Sequence, residues 1–178
     1  IDPIDGTRAF IAGVPVWGTL VGLKADGRAR MGFIQQPYLG ELYVADGSAS
    51  YLINKKGDQA KLQTRTHRRL EDAIMFTTAP PLYKGKEHEG YERLERAAKL
   101  ARYGTDCYGA AMVAAGHADI WIEPDLQTYD IVGVIPVIEQ AGGVVTRIDG
   151  GRAEEGGTII AAGSKSLHEE AIAVFLGA

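Results

Sequence analysis

Residues 14–53 read VPVWGTLVGLKADGRARMGFIQQPYLGELYVADGSASYLI, and this stretch decides the fold. Val14–Leu23 mixes apolar and small residues, Asp26-Gly27 is a hairpin signal, and Arg28–Gln36 resumes an extended pattern. Gly40-Glu41 introduces Leu42-Tyr43-Val44, Asp46-Gly47 is a second turn, and Tyr51-Leu52-Ile53 is a third short strand before Lys56-Gly57. Connections this short join antiparallel neighbours, because parallel strands need a long crossover. The spacing therefore predicts an antiparallel meander running to about Leu62, within a first subdomain of residues 1–70.

Beyond Arg69 the period changes, and a second α/β subdomain over residues 71–178 is expected within one structural unit. Ala73–Thr77 reads as a strand, Pro80-Pro81 breaks the chain, and Tyr91, Leu94, Ala97, Ala98 and Ala101 recur at helical spacing. Met112 and Val113 belong to a helix ending at Gly116, followed by strand Ile120-Trp121-Ile122. Ile131, Val134, Ile135 and Ile138 form an apolar stripe on a helix that stops at Gly142-Gly143. Val144-Val145 and Thr158–Ala162 read as strands, and Leu167–Leu176 as a closing amphipathic helix.

The 178 residues carry a net charge of −4 and 46% apolar residues, enough for a sizeable core and poorly suited to nucleic acid or anionic lipid. No apolar run approaches the roughly 20 residues that cross a bilayer, so no membrane partner is expected. A single cysteine, Cys107, excludes an internal disulfide and fits a reducing compartment such as the cytoplasm. Cys107 reads as a packed thiol at a helix start rather than a nucleophile. Lys55, Lys56, Lys61, Arg65, Arg68 and Arg69 read as a solvated loop surface. His67, His88, His117 and His168 are scattered surface or loop residues without zinc-ligand spacing. Trp17, Phe33 and Trp121 are expected in the core.

Asp2 and Asp5 flank Pro3-Ile4 and precede Gly6-Thr7. Two carboxylates around a proline-stiffened turn can converge on one cation, and hard oxygens suit Mg²⁺. If Thr7–Ile11 is helical, the amides of Gly6 and Thr7 face an anion. An Asx-type turn with a threonine cap is the alternative reading. A second acidic cluster stands far downstream: Glu123 closing a strand, and Asp130 just inside the helix running to Ala141. Both fall at the sheet edge where α/β sites form, although Asp130 also reads as a favourable charge in a helix's first turn. The chain opens at Ile1 without a methionine and reads as a piece beginning inside a motif.

Asp2-Pro3-Ile4-Asp5-Gly6-Thr7, the strand-ending Glu123, and Tyr129-Asp130 leading to Glu139-Gln140-Ala141-Gly142-Gly143 resemble the two signature motifs of the inositol monophosphatase family. The likeness keeps the family's order and spacing and covers essentially the whole chain. It implies hydrolysis of small phosphomonoesters with two or three Mg²⁺ per site, Mn²⁺ being the alternative metal. It also implies an α/β, layered α/β/α/β/α sugar-phosphatase-like fold lacking its N-terminal helical region, and a homodimer. Within the family the chain is most similar to histidinol-phosphate phosphatases, through Trp17-Gly18-Thr19-Leu20, Gly32-Phe33-Ile34-Gln35-Gln36-Pro37, Gly104-Thr105-Asp106-Cys107-Tyr108 and Ile135-Pro136-Val137-Ile138. Tyr129 stands where the inositol-specific branch usually has Trp. Phosphatases acting on inositol phosphate, a sugar phosphate or a 3′-phosphonucleotide, and a non-catalytic oligomerisation module, are the other readings.

By the same resemblance, Asp2, Asp5, Asp130 and the carbonyl of Ile4 match the metal ligands, and Gly6 and Thr7 the phosphate-binding amides. Thr7 and Asp5 match the catalytic pair, with the Thr7 hydroxyl positioning the attacking water. Asp106, Glu123 and Asp130 fall where the family contacts its substrate; Asp106 reads equally as a helix N-cap. The family's metal-binding glutamate lies upstream of the first motif. The resemblance therefore implies weak or absent activity for residues 1–178 alone.

Overall fold

The computed structural model describes residues 1–66 and 68–178. Two sheets organise them. The first is wholly antiparallel and follows chain order: β1 (Asp2–Asp5), β2 (Gly18–Ala25), β3 (Arg28–Gln36), β4 (Glu41–Ala45), β5 (Ser50–Ile53) and β6 (Gln59–Lys61). The Asp26-Gly27 turn has both φ angles positive, +51° and +72°, the handedness that matches a twisted hairpin. Leu20, Ile34, Tyr43 and Leu52 stand in one cross-strand row and point inward.

The second sheet is mixed, in the order β10-β11-β9-β7-β8. β7 (Ile74–Thr77) runs parallel to both β8 (Leu100–Tyr103) and β9 (Ile120–Leu126). β11 (Gly157–Ala162) pairs antiparallel with β9 and with the edge strand β10 (Val144–Arg147). Between the sheets lie α3 (Asp106–Ala114) and α5 (Val134–Glu139), whose apolar residues share one core with Leu20, Ile34, Tyr43, Trp121 and Ile159. On the far face of the second sheet, α2 (Lys86–Ala97) and α6 (Lys165–Leu176) close a second core around Met75, Ile120, Ile122, Leu94 and Phe175. The short helices α1 (Thr7–Ala12) and α4 (Thr128–Ile131) sit at the edge where the functional residues gather. The layers thus run β/α/β/α, and the outer face of the first sheet is exposed at Leu23 and Met31.

One close approach fixes how the first sheet meets the helices. A Cβ on Gly22 would lie 2.5 Å from the Val132 carbonyl carbon and 2.6 Å from the Gly133 nitrogen, and one on Gly32 would strike the Gly133 carbonyl. Only glycines let the α4–α5 junction rest directly on β2 and β3.

Several elements differ from the pattern-based expectation. Asp2–Asp5 is a strand, not a turn: it pairs with β2 at Asp2↔Leu20 and Asp5↔Gly18, with an irregular register between. Pro3 is tolerated because β1 is an edge strand. Ala98 and Ala101 are not helical: α2 ends at Ala97, Ala98 is extended, and Ala101 belongs to β8, whose pairing with β7 overrides the helical spacing. Strand β6 carried no pattern of its own. Glu123 does not close its strand, since β9 continues to Leu126 through a shift in register that accommodates Pro124.

The helix expected from Asp130 to Ala141 is two short helices, separated at Val132-Gly133. Pro136 offers no N–H to the Val132 carbonyl, so the ladder is interrupted there. Trp121 is core, but Trp17 and Phe33 are only half-buried, Trp17 meeting Phe10 edge-to-face. His168 is buried rather than superficial, its Nε2 3.0 Å from Thr146 Oγ1, because α6 turns that face toward β10. His88 is half-buried, His117 is exposed, and His67 lies outside the described residues. The basic stretch is not uniformly solvated: Arg65 pairs at 3.2 Å with Asp119, which is fully buried and also accepts the Ile74 amide.

Candidate active site

A cleft of about 300 Å³ opens at the carboxyl ends of β7 and β9, lined by Asp2, Ile4, Asp5, Gly6, Thr7, Thr78, Asp106, Glu123 and Asp130 among others. Every sequence-predicted site residue is therefore brought to one place. The sheets supply the reason: β1 delivers Asp2 and Asp5 from the first sheet, and α4, following β9, delivers Asp130 from the second.

Asp2, Asp5 and Asp130 each present a carboxylate oxygen within 4.8 Å of the other two, all from half-buried side chains. That separation suits one small divalent cation with oxygen contacts of about 2.0–2.1 Å, after minor side-chain adjustment. One oxygen of each is already committed. Asp2 Oδ1 accepts the Ile4 amide at 3.0 Å, Asp5 Oδ2 the Cys107 amide at 2.8 Å, and Asp130 Oδ2 the Gln127 amide at 2.7 Å. Each carboxylate is thus oriented by a backbone amide at one of its oxygens. Asp130 is both the first-turn charge of α4 and a member of the triad.

The electrostatics follow from crowding acids in a dry place. Burial pushes the Asp5 carboxyl up to about 6, against the Cys107 amide that lowers it. Burial also raises Asp130, and the adjoining Asp2 carboxyl adds to the effect. Three hard oxygen donors held together against their own repulsion fit a divalent cation, whose charge would remove that cost.

Gly6 caps α1 with φ +76°, the left-handed region that favours glycine, and a Cβ there would lie 3.0 Å from the Asp106 side chain. The Thr7 hydroxyl donates to the Ile4 carbonyl at 3.2 Å, which leaves that carbonyl one lone pair. Thr7 also begins α1, so its amide lies at a helix N-terminus facing the cleft.

The same cleft holds two further carboxylates. Glu123 is 3% exposed and Asp106 half-buried, and burial raises both above the ordinary carboxylate range, Glu123 strongly. Among the described residues no ion pair neutralises either one. Asp106 is not the N-cap of α3: Thr105 holds that position, and Asp106 follows it at φ +45°, an unusual conformation for a non-glycine residue. Cys107 is buried and its thiol is pushed well up by burial, which suits packing and not nucleophilic attack. Sequence patterning missed Thr77 and Thr78, whose hydroxyls reach Glu123; their only signal was a strand end followed by Pro80-Pro81.

With the geometry in place, the comparisons define the class. The sequence profile of the inositol monophosphatase family matches residues 1–176, and the chain belongs to that family. It is 35% identical to the bifunctional phosphatase IMPL2, chloroplastic, of Arabidopsis thaliana, over 97% of this chain and 51% of the relative. It is also 35% identical to a histidinol-phosphatase of Chlorobaculum parvum, over 80% of this chain and 54% of that protein. Among solved structures, an inositol monophosphatase from Zymomonas mobilis superposes with a TM-score of 0.91 at 32% identity, covering 98% of this chain and 68% of that one. The chain spans about half the length of the two curated relatives. The family is generally metal-dependent. No described helix is long and apolar enough to cross a membrane.

Proposed function

We propose that this chain forms the catalytic portion of a Mg²⁺-dependent phosphomonoesterase that converts L-histidinol phosphate and water to L-histidinol and phosphate. The observation that carries the hydrolase reading is the convergence of Asp2, Asp5 and Asp130 within 4.8 Å from distant parts of the sequence. Bound there, Mg²⁺ would supply charge neutralisation and Lewis acidity toward a phosphoryl oxygen. Asp2, Asp5 and Asp130 would hold it through carboxylate oxygens, each side chain oriented by a backbone amide. The Gly6 and Thr7 amides would receive the phosphate at the start of α1, and the Thr7 hydroxyl would orient the attacking water.

The substrate assignment rests on the other two carboxylates of the cleft. Glu123 and Asp106 line the cleft with no ion pair to either among the described residues, so a leaving alcohol bearing an ammonium and an imidazole fits them better than a neutral polyol. Tyr129, 54% exposed at the rim, offers an aromatic face to the same group. Inositol phosphate is the second reading, favoured by the 0.91 superposition on the Zymomonas mobilis enzyme. A homodimer in a reducing compartment, as the single thiol allows, completes the proposal.

The test uses the complete enzyme. Asp130→Asn keeps an oxygen for the Gln127 amide and removes a charge from the triad; phosphate release should fall at least about 100-fold with the circular dichroism spectrum unchanged. Retained activity overturns the metal assignment. Faster turnover of myo-inositol 1-phosphate than of histidinol phosphate overturns the substrate assignment alone.

A further inference from the structure

In the same cleft one threonine hydroxyl is shared between two carboxylates. Parallel pairing places Phe76 opposite Trp121, so Thr78, just past the end of β7, comes level with Glu123 on β9. Thr78 Oγ1 is 3.0 Å from Glu123 Oε1 and 3.4 Å from Asp106 Oδ1. One hydroxyl carries one proton, and both partners are acceptors when ionised. Thr78 can therefore donate to only one carboxylate at a time.

With both carboxylates ionised, as a bound cation would favour, the neighbouring side chains add little. Tyr83 OH donates to the Ile122 carbonyl at 2.9 Å, so its contact with Thr77 Oγ1 at 3.0 Å has Thr77 as donor. The remaining Thr77 contact, to Glu123 Oε2, is 3.5 Å long. Glu123 and Asp106 come from different segments, one on β9 and one at the start of α3, and the Thr78 hydroxyl is the described side chain that touches both. Once ionised, Glu123 and Asp106 are short of side-chain donors, and both line the cleft.

We propose that Thr78 is a positioning residue for leaving-group selection: its hydroxyl holds Glu123 and Asp106 at a fixed spacing as a paired acceptor for a cationic, multi-donor group on the leaving alcohol. This rests on the phosphomonoesterase reading above. An ammonium brings three donors and a positive charge, which meets the deficit that one hydroxyl leaves. A neutral aryl ester brings none, and gains nothing from the pair.

The experiment compares histidinol phosphate with phenyl phosphate in the complete enzyme, using wild type, Thr78→Val and Thr78→Ser. Valine keeps the shape and loses the hydroxyl; serine keeps the hydroxyl. The expected result is a KM for histidinol phosphate raised about tenfold in Thr78→Val, with kcat for both esters and KM for phenyl phosphate changed less than twofold, and wild-type behaviour restored in Thr78→Ser. Equal losses on both esters, no loss on either, or a serine variant as impaired as the valine one overturns the role of Thr78. Wild-type enzyme with no preference for histidinol phosphate over phenyl phosphate overturns the substrate reading beneath it, a result visible before any variant is made.

Discussion

Among single residues, Asp106 shows most directly how this site trades stability against function. A non-glycine residue at φ +45° is held in the sparsely occupied left-handed region, and its half-buried carboxyl is raised by burial, with no ion pair among the described residues. Both features oppose folding. Asp106→Gly should therefore stabilise the complete protein by up to about 1 kcal/mol in urea denaturation while weakening selection of a cationic leaving group. A destabilised glycine variant would show that the left-handed turn is not strained by its side chain. The residue types at the site were readable in the sequence, because carboxylates flanking Pro3-Ile4 and a downstream Asp130 have few structural uses in common. Thr78 was not readable: a threonine after a strand is ordinary, and its meaning comes only from Glu123 and Asp106 being brought beside it.

Among elements, the decisive contact is the α4–α5 junction lying on β2 and β3. Gly22→Ala would place a methyl 2.5 Å from the Val132 carbonyl carbon and 2.6 Å from the Gly133 nitrogen, backbone atoms that cannot swing aside. The expected cost is about 1–3 kcal/mol, with a lowered midpoint in urea. Because α4 also carries Asp130, the apparent affinity for Mg²⁺ should weaken in the same variant. An unchanged affinity would separate the packing from the site. Hairpins such as Asp26-Gly27 were legible because turn chemistry is local. The alanines at 98 and 101 misled, since helical spacing does not reveal that Ala101 finds a parallel partner on β7. The division of the Asp130–Ala141 helix was half-legible: Pro136 was visible, but the backbone contact of Gly133 was not.

For the molecule as a whole, layering sets both stability and chemistry. Two sheets clasp α3 and α5, and the triad forms where their edges meet. With the metal removed, Asp5 has a folded value of about 6 against 3.8, so the folded protein holds a proton that the unfolded chain has released. That contribution, on the order of 3 kcal/mol, is whole below the unfolded value and gone once pH rises through the folded one. In chelator, Tm should fall as pH rises from about 4 to 7, with a shallower slope in Asp5→Asn. Saturating Mg²⁺ should raise Tm more at pH 7 than at pH 5, where protons compete for the same oxygens. Equal gains at both values would refute a role for these carboxylates in binding the metal.

The sequence by itself determined the antiparallel meander, the change to an α/β pattern after Arg69, and the identity of the acidic residues, because turn residues, hydrophobic period and carboxylate chemistry are properties of short segments. Only the tertiary structure decided that Asp2–Asp5 is an edge strand and that Asp130 meets Asp2 and Asp5. It alone placed a single threonine hydroxyl between Glu123 and Asp106. Those facts depend on register and on which sheet edge faces which, and such long-range pairings leave no mark on the residues that make them.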